Sequence, residues 1–178
     1  MQEEVLIKEF HEIGIKKNFK SQYFLITPND TANKIYIVLE GGLVLLHIHP
    51  KTGIEKAINF FTPTFHPMAT VGDSFHKGET SKFYLKTFTN TTVLEIDKNN
   101  FDYLLKSSEY SEYLYNYAIK SLLEKNEIRA MSVVSDSLEM LQFLQQKYPQ
   151  ILQYVPSKYI ANFLGITPQW LSKLKHKL

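Results

Sequence analysis

The sequence of 178 residues contains no cysteine, and this absence excludes several kinds of chemistry. Without thiols the chain cannot form disulfides, use a thiolate nucleophile, or bind iron–sulfur clusters or zinc through cysteine. Long apolar runs are also absent, since no stretch approaches the roughly 20 residues that a membrane-spanning helix needs. The first residues include several acids and no extended apolar segment, so they do not resemble a signal peptide. We therefore expect a cytoplasmic protein with no membrane partner.

Acidic residues are missing from the C-terminal part of the chain. Between Met140 and Leu178 the sequence has five lysines and no aspartate or glutamate. This segment carries +5 against a net charge of +2 for the whole chain, which leaves the remainder at −3. A basic segment on a mildly acidic body indicates a polyanionic partner, although charge alone fits a solvated helix face equally well.

The middle of the chain, from about residue 19 to residue 97, consists of short apolar runs separated by turn residues. Aromatic and β-branched residues are frequent in these runs, which favours strands. The runs cover residues 23–27, 34–40, 43–49, 56–61, 82–88 and 92–96. Strands at this spacing predict an antiparallel sandwich or barrel. The pair Gly41-Gly42, between two of the runs, predicts a tight hairpin.

Helical patterns flank the strand-rich region, so the fold class is predicted to be α+β. Residues 2–13 predict a short helix, and residues 109–134 contain no glycine or proline, which permits one long helix with an apolar side. The long helix either packs on the β domain or pairs with a second copy. We predict three parts: a β domain over 1–108, a connecting and dimerising helix over 109–134, and a helical domain over 135–178.

The end of the chain, residues 155–178, predicts two helices joined by a very short turn. Pro156 suits the start of the first helix, and Gly165 can adopt the positive φ that ends it. Thr167 is a good N-cap for the second helix. Ala161, Gly165 and Leu171 stand at the spacing A-x₃-G-x₅-L, which is the packing pattern of a helix-turn-helix.

One face of the last helix is polar and has no acidic residue. Gln169, Ser172, Lys173 and His176 lie at positions i, i+3, i+4 and i+7, so they share one side of the helix. Their side chains suit base edges and phosphates in the major groove of DNA. We further predict a sugar or thymine contact by Trp170 and phosphate contacts by Lys158, Lys175 and Lys177. The alternative is an ordinary helical hairpin with a solvated polar face.

A strand-rich domain followed by a long helix and a C-terminal helix-turn-helix resembles the Crp/Fnr family of transcription regulators. Residues 20–42 are similar to the opening strands of that family's cyclic-nucleotide-binding β-roll, and residues 93–97 to its last strand. The resemblance covers nearly the whole chain. It implies a jelly-roll sensor domain and a homodimer that binds double-stranded DNA, with RNA polymerase as a further partner if the protein is an activator.

The resemblance also assigns roles to particular residues. Thr167 to Lys173 match the start of the recognition helix, with Gln169 where the family usually has a base-reading glutamate and Lys173 where it usually has arginine. The phosphate-binding cassette of cAMP-binding members matches four positions here, Gly72, Asp73, Ser81 and Lys82. Neither Ser81 nor Lys82 can reproduce the bidentate contact of arginine with a cyclic phosphate. We therefore expect a different small-molecule effector, or none, rather than cAMP.

Two functions of other classes stay open. One is a ligand-sensing β-roll protein whose helical tail binds another protein. The other is a cupin-like β-barrel enzyme, which would need a cluster of metal ligands. His47 and His49 alternate in a predicted strand and so point to one face, but no spacing motif provides a third ligand. Because no nucleophile or base pattern is present either, we expect no catalytic residue, no metal and no cofactor.

Overall fold

The computed structural model describes the backbone of residues 2–178 and the side chains of residues 6–108 and 110–178. Within this part the chain forms eight strands and eight helices. The strands are β1 (Ile15–Phe19), β2 (Phe24–Ile26), β3 (Lys34–Glu40), β4 (Leu43–Ile48), β5 (Glu55–Phe61), β6 (Met68–Ala69), β7 (Tyr84–Thr87) and β8 (Thr91–Asp97). The helices are α1 (Gln2–Ile13), α2 (Gly72–Lys77), α3 (Lys98–Leu104), α4 (Ser108–Val134), α5 (Ser137–Lys147), α6 (Pro149–Tyr154), α7 (Ser157–Leu164) and α8 (Pro168–Lys175).

The strands form two antiparallel four-stranded sheets, which confirms the predicted α+β class with an N-terminal β-roll. One sheet has the order β1-β8-β3-β6 and the other the order β2-β7-β4-β5. Alternate side chains of both sheets meet in a buried core that includes Leu43, Leu85, Val93 and Ile96. Helix α1 adds Leu6 to this core. The six predicted strand runs correspond to β2, β3, β4, β5, β7 and β8.

Gly41-Gly42 does not form the predicted hairpin. Strand β3 pairs with β6 and β8, whereas β4 pairs with β5 and β7, so the two glycines carry the chain from one sheet to the other. Gly41 has a φ of 75°. A Cβ on Gly42 would lie 2.2 Å from Cζ of the Phe88 ring. Two glycines are needed here because the crossing backbone turns while it passes against a buried aromatic side chain.

Four short elements do not appear in the sequence pattern. Strand β1 has the sequence IKKNF and is almost entirely exposed, so it lacks the apolar alternation that marks a strand. Its backbone nevertheless pairs with β8 along its full length. Strand β6 has two residues and α2 has six, which is too short for a recognisable period. Helix α6 also has six residues and begins at Pro149.

Helix α4 has two apolar faces, where the sequence suggested one apolar side. Leu114 and Ile128 are buried on the face that packs against the rest of the chain. The opposite face exposes Ile119, Leu122 and Val133. Because both faces are apolar, the residues that pack on the body of the protein and those that face outward cannot be separated by periodicity alone.

The C-terminal helices share one apolar core with the outer face of the β2-β7-β4-β5 sheet. Strands β4 and β5 contribute Val44, Leu46, Ala57 and Phe60 to this core. Helices α5, α7 and α8 contribute residues that are fully buried, among them Leu141, Leu144, Ile160 and Leu171. The helical end of the chain is therefore held against the roll by apolar packing.

Candidate nucleic-acid interface

Helices α7 and α8 are joined by a short turn that is held by hydrogen bonds of its backbone and of the Thr167 side chain. Gly165 has a φ of 73° and ends α7, and its N–H donates to the carbonyl of Asn162 at 3.2 Å. The N–H of Ile166 donates to the carbonyl of Ala161 at 3.0 Å. Thr167 Oγ1 then accepts from the N–H of Trp170 at 3.1 Å and caps α8. These contacts fix the angle between the two helices over very few residues.

The two helices cross with small and branched residues between them, as the A-x₃-G-x₅-L spacing predicts. Ala161 is 1% exposed and lies where the second helix approaches. Ile160 and Leu171 are fully buried, and Leu174 completes the buried side of α8. A larger side chain at Ala161 would push α8 away from α7.

The opposite side of α8 faces solvent. Gln169, Ser172, Lys173 and His176 are all exposed. No hydrogen bond or ion pair of their side chains is found among the described residues. Trp170 is 45% exposed beside this face. The structure therefore presents a continuous polar surface with no acidic group, and its donors and acceptors are available to a partner.

The three lysines predicted to contact phosphates lie around this surface and make only weak internal contacts. Lys175 Nζ donates to Ser157 Oγ at 3.2 Å. Lys158 Nζ lies 4.7 Å from the centre of the Tyr159 ring, and Lys177 Nζ lies 6.0 Å from the centre of the Trp170 ring. Since no carboxylate neutralises them within the described chain, their charge stays available for an anionic partner.

A contact that the sequence did not reveal fixes α7 to the edge strand β5. The side-chain amide of Asn162 accepts from the N–H of Ala57 at 2.6 Å and donates to the carbonyl of Glu55 at 2.9 Å. It thereby pairs with the free edge of the sheet as another strand would. Lys56 Nζ donates to the carbonyls of Asn162 and Phe163 at the end of α7, at 3.0 and 2.9 Å. Partial burial lowers the pKa of Lys56.

The four positions assigned to effector binding have separate partners. Ser81 is buried, and its hydroxyl donates to the carbonyl of Phe83 at 2.7 Å. Asp73 is exposed and pairs with Lys77 at 3.4 Å. Gly72 and Lys82 are exposed. None of these four residues lines the cavity between β5 and α4 or the cavity between α1 and α4.

The histidines of β4 have structural partners. His49 Nδ1 accepts from the backbone N–H groups of Lys51 and Thr52 at 3.3 and 3.2 Å. The His47 ring packs edge-on against Phe83, with ring centres 5.8 Å apart. Across the described residues no three His, Asp or Glu side chains come together as metal ligands would.

Comparison with known proteins gives matches in structure and none in sequence. No family model matches the chain, and no curated protein matches it. The c-di-GMP responsive global regulator CLP from Xanthomonas campestris superposes with a TM-score of 0.71 at 16% identity, over 98% of this chain and 90% of that one. FixK2 from Bradyrhizobium japonicum superposes with a TM-score of 0.77 at 12% identity, over 93% and 84%.

A third structural match is a regulator of the CRP/FNR family, and together with the first two it identifies the fold. A CRP/FNR-family transcriptional regulator from Thermus thermophilus superposes with a TM-score of 0.66 at 13% identity, over 92% of this chain and 85% of that one. The chain has a Crp/Fnr-like fold. Because each superposition spans both the strands and the C-terminal helices, the Crp/Fnr-like arrangement covers the roll, α4 and the helix-turn-helix. Among the described helices none combines the length and the apolar composition that would let it cross a membrane.

We expect Asn162→Asp to loosen the contact between α7 and β5. An aspartate cannot donate to the carbonyl of Glu55, so two acceptors would face each other, at a cost of about 1–3 kcal/mol in the free energy of unfolding. The free energy of unfolding is measured by urea denaturation, followed through the fluorescence of Trp170, the only tryptophan. The matched control is Asn116→Asp at an exposed position in the middle of α4, away from both ends of the helix. Equal stability of the two variants would show that the contact contributes nothing.

Proposed function

We propose that the protein is a homodimeric, sequence-specific DNA-binding regulator of transcription that acts in the cytoplasm, and that α8 is its recognition helix. The observation that carries this proposal is the exposed, acid-free face of α8 on a helix-turn-helix whose turn is rigidly capped. The +5 charge of residues 140–178 supports it, because phosphate contacts supply much of the affinity for DNA. The Crp/Fnr-like fold is consistent with this function.

The side chains of α8 divide into base-reading and phosphate-binding groups. Gln169 can make a bidentate contact with adenine, and Lys173 can bind guanine or a phosphate. Ser172 and His176 extend this face along the groove, and Trp170 can cover a sugar or a thymine methyl. Thr167 caps the N-terminal end of α8, which would lie beside the phosphate backbone of the DNA. The lysines on either side, Lys158, Lys175 and Lys177, would bind phosphates and set the position of the helix without reading sequence.

The exposed face of α4 supports a dimer. Ile119, Asn126 and Val133 are exposed and seven residues apart, and each is preceded at four residues by an exposed side chain of the d series, Tyr115, Leu122 and Arg129. Branched residues at position a, with leucine at d, favour a parallel two-stranded coiled coil. A single asparagine at position a fixes the register of such a pair. A parallel pair of α4 helices would place the two α8 helices on the same side of the dimer.

Dimer symmetry sets the form of the operator. Two recognition helices related by a two-fold axis bind two half-sites in successive major grooves, about 34 Å or one helical turn apart. We therefore propose a palindromic operator. If the protein activates transcription, RNA polymerase is a further partner. A small-molecule effector would act by favouring one orientation of the two α8 helices, and we do not expect it to be cAMP.

Selection from a randomised DNA duplex pool tests the proposed function. We expect the protein to enrich a palindrome and the double variant Gln169→Ala, Lys173→Ala to lose that enrichment. Two lost base contacts of about 1–3 kcal/mol each weaken affinity for the selected duplex by at least about 30-fold.

The matched control for this selection is Gln153→Ala, Lys106→Ala, which removes an exposed glutamine and an exposed lysine elsewhere. It should retain the enrichment. Repeating the selection at two salt concentrations separates DNA binding from the alternative of a protein-binding tail. A chain whose tail binds only protein shows no salt-dependent affinity for any duplex, and that outcome would refute the proposal.

The dimer is tested by Leu122→Glu. Leu122 is 62% exposed in the single chain, so a glutamate there is tolerated by the monomer but disrupts a coiled-coil core. Two leucines are lost per dimer, each contributing about 1.5–3 kcal/mol, which weakens dimerisation by at least about 100-fold. Sedimentation measures dimerisation, with Val134→Glu, an exposed apolar residue outside the a and d positions, as the control. If both variants sediment as wild type does, the dimer does not use this face.

A further inference from the structure

A large cavity lies between the roll and the helices, away from the positions that match the cyclic-nucleotide cassette. It has a volume of about 850 Å³ and is bounded by α1, by β3 and the loop before β6, by α4 and by the start of α6. Leu6, Phe10 and Met68 form an apolar wall, while His66, Lys120 and Lys147 are polar residues of its lining. This size and this mixture of walls are typical of small-molecule sites.

His66 lines the cavity and carries a buried ring nitrogen that forms no hydrogen bond. Its side chain is 4% exposed, and Nε2 is buried and forms no hydrogen bond. The nearest carboxylate oxygen, on Glu124, lies 3.5 Å away without hydrogen-bond geometry. Burial, together with Lys125 and Lys120, lowers the pKa of His66 to about 3, so the imidazole is neutral and one ring nitrogen carries a proton. A buried polar atom without a partner destabilises the protein unless something binds it.

The backbone around His66 is held in place rather than free to relax. His66 has a φ of 49°, which few residues other than glycine adopt. On one side the N–H of Thr62 donates to the carbonyl of Phe65 at 2.9 Å. On the other, the N–H of Val38 donates to the carbonyl of Pro67 at 2.8 Å. The loop therefore keeps the imidazole against the cavity.

The charges around the cavity indicate the kind of molecule that fits it. Lys120 and Lys147 contribute two ammonium groups, both at least half exposed. Glu124 lies at the limit of ion-pair distance from Lys120, 4.0 Å, and Lys147 pairs with Glu127. An anionic group could therefore bind Lys120 without breaking a close ion pair. The apolar wall on the other side excludes a molecule that is polar throughout.

We propose that this cavity binds a small amphipathic anion, with an apolar body against Leu6, Phe10 and Met68 and a head group that accepts from Lys120 beside the imidazole of His66. The bound molecule would touch the roll, α4 and the residues at the start of α6. These elements lead directly to the helix-turn-helix. The proposal concerns ligand binding by the protein without DNA, so it does not depend on whether α8 reads bases.

The methionine methyl groups allow a site-resolved test with decanoate as the probe. The chain has four methionines, of which Met68 lines this cavity, whereas Met140 lines the other cavity. In protein labelled with carbon-13 at the methionine methyls, we expect decanoate to shift the Met68 resonance saturably. Shifts of Met131 and Met140 should be much smaller. The alcohol 1-decanol, with the same body and no charge, should bind at least about tenfold more weakly.

Two variants test the head-group contacts. Lys120→Glu, an exposed change that leaves the fold intact, should weaken decanoate binding at least fivefold and leave decanol binding unchanged. His66→Leu should weaken decanoate binding about tenfold. The control is Lys51→Glu, the same charge change at an exposed position outside the cavity. The proposal is overturned if Met68 does not shift, if decanol binds as tightly as decanoate, or if Lys51→Glu weakens binding as much as Lys120→Glu.

Discussion

The apolar core shared by the β2-β7-β4-β5 sheet and helices α5 to α8 is the constraint on which the rest of the structure depends. It buries Leu46 and Phe60 of the roll together with Leu141, Ile160 and Leu171 of the helices. At the edge of this core, hydrogen bonds join α7 to β5. Since α8 is packed on α7 through this core, the direction in which the proposed recognition helix points is set by the roll and not by a flexible linker.

If α8 binds DNA as proposed, this arrangement defines how a signal reaches the bound DNA. A change at α4 or in the loop that carries His66 alters the surfaces on which α5 and α6 rest, and α7 and α8 follow as packed bodies. Two orientations of the C-terminal helices would then bind DNA differently, and a ligand or a second copy of the chain would shift the balance between them. The exposed second face of α4 and the cavity beside His66 are the two places where such a partner can act.

Much of the fold was predictable because its signals are local. The strand runs, the long helix and the caps at Gly165 and Thr167 follow from spacing and from residue types at single positions. The sheet crossing at Gly41-Gly42, the polar edge strand β1 and the Asn162 contact with β5 were not, because each depends on residues far apart in the sequence. The exposed polar face of α8 was predicted from the helical spacing of its residues, whereas the cavity joins residues from many separate parts of the sequence and has no sequence pattern.

The central claim, that two α8 helices read DNA as a pair, is tested most directly by affinity cleavage. The chain lacks cysteine, so Leu178→Cys introduces a single thiol next to α8 to which iron–EDTA can be attached. On a selected duplex the account predicts two symmetric clusters of strand cleavage whose centres lie about one helical turn, roughly 10 base pairs, apart. A single cluster, or cleavage spread evenly along the duplex, would contradict it.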